Sequence, residues 1–426
     1  MRAVKKDTTS VWVVQPKLKI NLPANYADQS IGEAISLAKA LPSVKITGST
    51  LVPIERIRPK EFFGTGKVVE LAEIFKSKKI NLVIINGQIS PIQQRNLEKK
   101  WNVKVLDRTA LILEIFSDRA VTREGVLQVD MAALTYQKSR LVRAWTHLER
   151  QRGGLGFVGG PGETQIEADK RAIDHQLVRL RRQLDKIKNT RELHRKSRAK
   201  VPFPIVALVG YTNAGKSTLF NLLTGASEFS DDMLFATLDP KMRAINLDNK
   251  VKIILSDTVG FISDLPTELI AAFRATLEEV LAADLILHVR DISHDNTETQ
   301  AMEVEKVLRN LGISESTPVL ELWNKMDLVE PEKQRGLNNI AERRLSVCSL
   351  SAVTGEGVSN LIEDIKNKVE PQKFCETLLV PFEFGKQKAW LHENGVVIKE
   401  VYTDVGFQFD VIWSARQKEK YYSFIH

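Results

Sequence analysis

The chain has 426 residues, 43% of them hydrophobic and 27% charged, a composition typical of a core-forming protein with about two to four domains. No apolar run approaches the roughly 20 residues of a membrane helix, and two cysteines exclude a disulfide framework or a Cys-rich zinc site, so we expect a cytoplasmic protein. The formal net charge of +8 is local, because residues 138–200 carry seventeen Lys and Arg against seven Asp and Glu.

Residues 1–112 alternate strand-like runs such as "VWVVQP", "NLVIING" and "VKVLD" with helical stretches. This alternation predicts a small N-terminal α/β domain with a parallel sheet. The stretch "GTGK", residues 64–67, lacks the full spacing of a phosphate-binding loop. We interpret it as the start of a helix.

Residues 113–200 show the apolar spacing of two long helices. The apolar stripe of the first helix is Leu127, Met131, Leu134, Leu141, Trp145 and Leu148, and that of the second is Ile166, Ile173, Leu177, Leu180, Leu184 and Ile187. We predict an antiparallel helical hairpin with these residues in its core and basic residues on its outer faces. The basic excess indicates a face that binds a polyanion, and a merely solvated helical surface is the alternative.

A glycine-rich break, "RGGLGFVGGPGETQIE", separates the two predicted helices. Its Gly-x-Gly-x-x-Gly spacing at 154–159 is a weak dinucleotide fingerprint, because no strand precedes it. One interpretation is a tip loop in which Thr164 and Glu167 form a capping box for the second helix. A compatible one is RNA contact, since basic residues flank the glycines: Arg150, Arg152, Lys170 and Arg171.

Residues 201–371 resume strand–helix alternation, beginning with a complete phosphate-binding loop. The stretch "GYTNAGKS", 210–217, follows an apolar strand and opens a helix. Its glycines let backbone N–H groups curl round phosphates, Lys216 can reach the β- and γ-phosphates, and the Ser217 hydroxyl can bind Mg²⁺.

The choice of base is predicted by "NKMD", residues 324–327, at the end of another apolar strand. The Asp327 carboxylate can accept from N1–H and the 2-amino group of guanine, which adenine cannot offer. The stem of Lys325 can lie along the base, and a backbone N–H of Ser351–Ala352 can meet the guanine oxygen. We therefore expect GTP.

Two loops complete the predicted site as a γ-phosphate sensor. Thr237 is expected to bind Mg²⁺ only when the third phosphate is present, and Asp257 with the Gly260 N–H completes the sensor. We predict Lys216, Thr237, Gly260 and Asn213 as catalytic, and Ser217 and Thr237 as metal ligands. The predicted nucleotide-binding residues are Gly210, Tyr211, Thr212, Asn213, Ala214, Gly215, Lys216, Ser217, Phe235, Ala236, Thr237, Leu238, Asp239, Asp257, Thr258, Val259, Gly260, Asn324, Lys325, Met326, Asp327, Leu350, Ser351 and Ala352.

Together with "GGLGFVGGPGETQIEADKR", the motifs "GYTNAGKSTLFN", "LFATLDP", "DTVGFISDLP", "NKMD" and "SLSA" resemble those of the HflX family of translational GTPases. The resemblance covers the N-terminal domain, hairpin and GTPase domain. It implies an Mg²⁺-dependent GTPase that binds GTP or GDP and the large ribosomal subunit with its rRNA, partly ribosome-bound in the cytoplasm. It further implies splitting or rescue of stalled ribosomes. ATP contact through the N-terminal region is also implied, although no motif places such a site. We also expect a monomer.

The expected fold is multidomain α/β. A P-loop GTPase domain is preceded by the small α/β domain and the long antiparallel helical hairpin, and residues 372–426 form a small C-terminal α+β domain. This last segment has strand-like runs and balanced charge, and by itself it indicates no function.

Phe261 stands where many GTPases keep a glutamine that orients the attacking water. Slow intrinsic hydrolysis is expected, with activation from elsewhere. Either the ribosome orients the water, which we favour, or Asn213 holds a K⁺ ion beside the phosphates. Asn213 could equally be a turn residue tolerant of unusual backbone angles.

Other functions remain open at this point. A ribosome-biogenesis or RNA-remodelling GTPase, or a scaffold with GTP as a structural ligand, would also need the basic hairpin. An RNA-unwinding ATPase is disfavoured by "NKMD", and a KH-type assembly factor by the absence of a Gly-x-x-Gly clamp after residue 373. A tRNA-modifying GTPase would need a second chemistry, for which we see no residues.

Overall fold

The computed structural model describes residues 8–18, 26–151, 165–198, 203–225, 235, 241–247, 251–263, 280–313, 317–344, 346–369, 373–414, 417–418 and 421–422. The chain divides into two compact units, one of residues 1–246 and 252–358 and one of residues 247–251 and 359–426. Each unit is described by itself below.

The N-terminal part of the first unit is a four-stranded parallel sheet in the order β2-β1-β3-β4 with helices between its strands. Its elements are β1 Thr9–Leu18, α1 Tyr26–Lys39, β2 Val44–Ile54, α2 Thr65–Ser77, β3 Leu82–Ile85, α3 Pro91–Trp101, β4 Lys104–Asp107 and α4 Arg108–Arg119. Helix α2 begins within "GTGK", as expected for a plain helix start. Asp107 caps α4 by accepting from the Ala110 N–H at 2.9 Å.

Two long helices follow, α5 Arg123–Gln151 and α6 Gln165–Arg198, and they pack against each other. Of the predicted stripes, Leu127, Leu177 and Leu184 are buried, and the other members with described side chains are half-buried. The side chains of Trp145, Leu148 and Ile166 lie outside the described residues, as do residues 152–164 and thus Thr164 of the predicted capping box. The two helices of the predicted hairpin are therefore present.

The third part is a six-stranded sheet in the order β10-β9-β8-β5-β7-β6, in which the pairs β5–β7, β5–β8, β8–β9 and β9–β10 are parallel. Its elements are β5 Ile205–Gly210, α7 Lys216–Thr224, β6 Lys241–Leu247, β7 Val251–Asp257, β8 Leu285–Asp291, α8 Thr297–Asn310, β9 Val319–Asn324, a 3-10 turn Met326–Leu328, α9 Pro331–Arg343 and β10 Val347–Ser349. Strand β5 is apolar and buried on both faces, as expected for the centre of a parallel sheet.

One apolar core joins the N-terminal sheet to the six-stranded sheet. Phe116 of α4 packs edge-to-face on Phe235, with ring centroids 4.7 Å apart, and Phe261 is buried in the same cluster. Burying an aromatic ring of this size contributes about 2–3 kcal/mol. These two parts of the first unit are thus held together by packing as well as by the chain.

The second unit contains a three-stranded antiparallel sheet in the order β11-β13-β12. Its elements are α10 Val358–Val369, β11 Lys373–Val380, α11 Gly385–Glu393, β12 Val397–Thr403 and β13 Gly406–Ser414. One face of this sheet buries Phe409, Val411 and Trp413 in a small core with Leu391 of α11. The predicted small α+β fold of the C-terminal part is confirmed.

Candidate nucleotide-binding site

The phosphate-binding loop runs from the carboxyl end of β5 to the first turn of α7, and its glycines fit where larger residues would not. Gly215 has φ +95°, and a Cβ there would lie 2.2 Å from Asn324 Nδ2. A Cβ on Gly210 would lie 2.2 Å from the Val289 carbonyl oxygen. Asn213 is exposed with φ +60°, a left-handed conformation that asparagine tolerates well. The loop therefore presents the N-terminus of a helix, where backbone N–H groups favour anions.

Lys216 is buried inside this loop. Its Nζ donates to the carbonyl oxygens of Tyr211 at 2.7 Å and Gly210 at 3.1 Å. Burial lowers the pKa of Lys216 to about 8, and the nearby Asp257 carboxylate offsets only part of that effect. A phosphate group would compete with these carbonyls for the ammonium and favour its charged form.

The lowered pKa of Lys216 predicts a pH dependence of nucleotide binding. Phosphates bound at the predicted site would raise this pKa, so the complex would hold more protons than the free protein above about pH 8. The affinity for GDP should then fall between about pH 8 and 9, by up to about tenfold per pH unit. Titration calorimetry at several pH values measures this slope. Lys216→Met is the control, because it removes the lysine and should flatten the slope, whereas equal slopes for both proteins would contradict the assignment.

Oxygen ligands suitable for Mg²⁺ meet where the phosphate-binding loop faces the end of β7. Ser217 Oγ donates to Asp257 Oδ2 at 2.8 Å, so a hydroxyl and a carboxylate already lie together. Hard oxygen donors of this kind suit Mg²⁺, which usually keeps waters and substrate phosphates as its other ligands. Within the part of the chain that the structure describes, no cluster of three or more His, Cys, Asp or Glu could hold a metal alone. Thr237, the other predicted ligand, lies outside the described residues.

The predicted guanine-binding residues lie at the ends of β9 and β10. Ser351 Oγ donates to Asp327 Oδ1 at 2.6 Å, which orients the exposed carboxylate. Lys325 Nζ lies 2.7 Å from Asp291 Oδ2. The hydrogen bond from Ser351 thus holds one oxygen of the Asp327 carboxylate, and Lys325 is paired with a different carboxylate.

Asn324 connects the predicted guanine-binding residues to the phosphate-binding loop. Its Nδ2 donates to the Ala214 carbonyl oxygen at 2.7 Å, and its Oδ1 accepts from the Ala352 N–H at 2.9 Å. The Ala352 amide is therefore engaged inside the protein, and a guanine oxygen would share or replace that bond. Sequence reasoning included Asn324 in the motif but not this bridging contact.

The segment after β7 lies against the phosphate-binding loop. The Phe261 N–H donates to the Gly210 carbonyl at 3.1 Å, and the Thr212 N–H donates to the Phe261 carbonyl at 2.7 Å. A Cβ on Gly260 would lie 2.6 Å from Thr212 Cγ2 and 3.0 Å from Lys216 Nζ. The Phe261 ring is 4% exposed and belongs to the apolar core. Its backbone thus faces the site while its side chain packs away from it.

The other predicted residues fall into three groups. Thr258 supports β5 through its hydroxyl, which donates to the Leu208 carbonyl at 2.6 Å, and Val259 is buried in the apolar core. Met326 and Leu350 are buried supports, since the Met326 N–H donates to the Leu350 carbonyl at 3.3 Å. Ala236, Leu238 and Asp239 lie outside the described residues, whereas Phe235 is buried.

A cavity of about 340 Å³ lies beside the phosphate-binding loop, with one wall from α1 and one from α8. Glu33 and Ser36 of α1 line it together with Tyr211, Asn213 and Ser263. Sequence reasoning did not select Glu33 or Ser263. Nothing in their local pattern distinguishes them, because their proximity depends on the packing of two parts of the chain 230 residues apart in sequence.

Helix α6 carries a basic surface. Arg179, Arg182 and Lys186 are exposed on one face of the helix, with His175 one turn earlier. Lys170 and Arg171 are exposed near its start, while Arg152 lies outside the described residues. A run of cations at helical spacing suits the phosphates of a nucleic acid.

None of the helices in the described residues is sufficiently long and apolar to cross a lipid bilayer.

Three family profiles match successive parts of the chain. Residues 28–117 match the family described as GTP-binding GTPase N-terminal, residues 119–198 the GTP-binding GTPase Middle Region, and residues 205–325 the 50S ribosome-binding GTPase. The three profiles follow the order of the α/β part, the helical hairpin and the six-stranded sheet.

Individual relatives and a solved structure agree with these matches. GTPase HflX of Magnetococcus marinus is 48% identical, with 84% of this chain and 82% of the relative covered. GTPase HflX of Escherichia coli is 42% identical, with 84% of each chain covered. The crystal structure of the SsGBP and GDP complex is 24% identical with a TM-score of 0.50, covering 85% of this chain and 98% of that one, which shows a shared fold.

Proposed function

The chain belongs to the HflX family of GTPases, and on this premise we propose that its GTP-bound form binds the large ribosomal subunit, which then stimulates hydrolysis. Splitting or rescue of stalled ribosomes is the proposed outcome, by a monomer located in the cytoplasm and partly on ribosomes. The observation that carries the proposal is the presence, in one chain, of a phosphate-binding loop and a helical hairpin whose segment, residues 138–200, holds the whole basic excess. rRNA is the polyanion that this surface would meet on a ribosome.

GTP hydrolysis itself is the activity of this family, and Mg²⁺ is the metal ion on which its members depend. We propose that Lys216 binds the β- and γ-phosphates and that Ser217, with Thr237, binds Mg²⁺. The charge of Lys216 would offset charge that develops on the transferred phosphoryl group. The Ser217–Asp257 contact at 2.8 Å supports this assignment, because it places a hydroxyl and a carboxylate, both suited to Mg²⁺, beside the phosphate-binding loop.

We propose guanine selection by Asp327 and γ-phosphate recognition by the Gly260 N–H. The hydrogen bond from Ser351 supports the first role, because it fixes the carboxylate before a base binds. The position of Gly260 against Thr212 and Lys216 supports the second, because that backbone borders the end of the phosphate-binding loop. The four-part division at residues 112, 200 and 371 remains our proposal for the functional domains, and so does ATP contact in the first of them.

The Phe261 ring is buried in the core, so a different group must orient the attacking water. We propose that the large subunit supplies this group, so hydrolysis should accelerate with subunits present in both potassium and sodium buffers. An equal acceleration in the two salts is expected. Acceleration by potassium alone, without subunits, would instead identify a K⁺ ion at Asn213 as the activator.

Asn213→Gly is the variant that separates these alternatives. Glycine accepts φ +60° without strain, so the backbone of the loop is kept while the side-chain amide is removed. If the ribosome is the activator, the stimulated rate of this variant should stay within about threefold of wild type. Loss of hydrolysis in the variant, together with dependence on potassium in the wild type, would contradict the proposal.

A further inference from the structure

Arg108, the first residue of α4, reaches from the N-terminal domain to the segment that follows β7. Its side chain is 7% exposed. Its two terminal nitrogens donate to Asn86 Oδ1 at 2.7 Å, Glu33 Oε1 at 2.9 Å and the Ser263 carbonyl oxygen at 2.8 Å. One guanidinium thus binds three elements, and the last contact spans 155 residues of sequence.

Ser263 is held from a second side by the same domain. Its hydroxyl donates to Glu33 Oε2 at 2.5 Å, while the other oxygen of Glu33 accepts from Arg108. The Tyr211 hydroxyl lies 3.5 Å from that oxygen as well. Ser263, Glu33 and Arg108 therefore form a closed polar group, and we call it the Ser263 contact.

The Ser263 contact lies three residues from Gly260. Between them, Phe261 and Ile262 are each 4% exposed, and the backbone of Phe261 is hydrogen-bonded to the phosphate-binding loop. The segment 260–263 is thus fixed at its start by the loop and at its end by the N-terminal domain. Its orientation, including that of the Gly260 N–H, depends on both anchors.

Stability alone does not account for a charged group at this place. Desolvating a guanidinium and a carboxylate costs several kcal/mol per ion, and a well-packed apolar pair is often as stable. Apolar packing is already present close by, where Phe116 contacts Phe235. The Arg108 guanidinium makes directional hydrogen bonds, and its planar donors fix the position of the carbonyl. An apolar contact would leave that carbonyl free to shift.

We propose that Arg108 is a positioning residue for GTP hydrolysis. Through the Ser263 carbonyl it holds segment 260–263 so that the Gly260 N–H meets the γ-phosphate. The proposal rests on the role of Gly260 proposed above. It assigns the N-terminal domain a direct part in distinguishing GTP from GDP, because GDP has no phosphate for this segment to contact.

Arg108→Met tests the proposal in the full-length protein. We expect the affinity for a non-hydrolysable GTP analogue and the single-turnover rate at saturating GTP each to fall by about tenfold. The affinity for GDP should stay within about twofold. Arg108→Lys should recover part of both losses, because an ammonium can still donate to the Ser263 carbonyl and pair with Glu33.

Lys100→Met is the matched control. It removes a cation that lies 2.7 Å from the buried Glu61 carboxylate in the same domain, away from the segment after β7. The ratio of its affinities for the GTP analogue and for GDP should equal that of the wild type. Thermal melts establish that all variants fold. An unchanged or increased rate in Arg108→Met, or an equal loss of analogue and GDP affinity, would overturn the proposal.

Gly260→Ala distinguishes failure of this inference from failure of the underlying assignment. An alanine Cβ would lie 2.6 Å from Thr212 Cγ2, so the segment must shift away from the loop. If the variant loses its preference for the analogue over GDP while Arg108→Met keeps it, only the role of Arg108 is wrong. If Gly260→Ala keeps the preference, the γ-phosphate assignment itself is wrong.

Discussion

Asp327→Asn is expected to lower the affinity for GTP by roughly 100-fold or more and to make xanthosine triphosphate the preferred nucleotide. Guanine offers two donors, N1–H and the 2-amino group. The side-chain amide of asparagine can accept from only one of them, because its nitrogen is itself a donor. Xanthine carries an oxygen in place of the amino group, and the new amide can donate to it. The Ser351 hydroxyl, 2.6 Å from Asp327 Oδ1, can still donate to an amide oxygen, so the loop should keep its position.

Competition of GTP and xanthosine triphosphate for a fluorescent nucleotide analogue measures this exchange. Asp295→Asn is the matched control, because it makes the same chemical change at an exposed aspartate of the same domain outside the predicted site. That control should bind GTP like the wild type. Weak binding of both nucleotides by Asp327→Asn would indicate a damaged loop, and unchanged GTP preference would refute the role of Asp327 in base selection.

Reversing the charges of Arg179, Arg182 and Lys186 to glutamate is expected to have the second large effect. Phosphate contacts dominate the affinity of proteins for nucleic acids, and like charges facing phosphates are repelled. We expect the ratio of subunit-stimulated to unstimulated hydrolysis to fall by about tenfold or more at low salt. The plot of log stimulation against log salt concentration should also become less steep. Its slope should change by about one unit for each phosphate that the helix no longer neutralises.

A control of equal charge separates this local effect from the change in net charge. Lys333, Arg335 and Arg343 are exposed on α9, and their reversal to glutamate alters the formal charge by the same amount. This variant should keep most of the stimulation. Equal losses in the two triple variants would mean that net charge, rather than the face of α6, determines the response to ribosomal subunits.

The parts of the site that sequence reasoning predicts are those encoded locally. The phosphate-binding loop, Asn324–Asp327 and Ser351–Ala352 each follow an apolar strand, and parallel strands bring their carboxyl ends to one edge of a sheet. The residue types at those ends then identify the chemistry. The helical hairpin was predictable for the same reason, since its apolar spacing is a local signal.

Contacts that depend on how distant elements pack were not predictable in this way. Arg108 approaches Ser263 because α4 and the segment after β7 share one apolar core, and an arginine at the start of a helix carries no signal of such a partner. Phe261 shows the same limit. Its identity excludes a water-orienting glutamine, yet only the structure shows that its ring is buried in the core shared with Phe116. The bond from Asn324 to the Ala214 carbonyl likewise depends on the approach of β9 to β5 across β8.

We propose that this GTPase acts on the large ribosomal subunit. The most direct test is the rate of GTP hydrolysis by the full-length protein, measured with and without purified large subunits in the same buffer. We predict an increase of at least about tenfold that saturates with subunit concentration. A rate that large subunits leave unchanged would contradict the claim and would separate the GTPase activity from the basic hairpin.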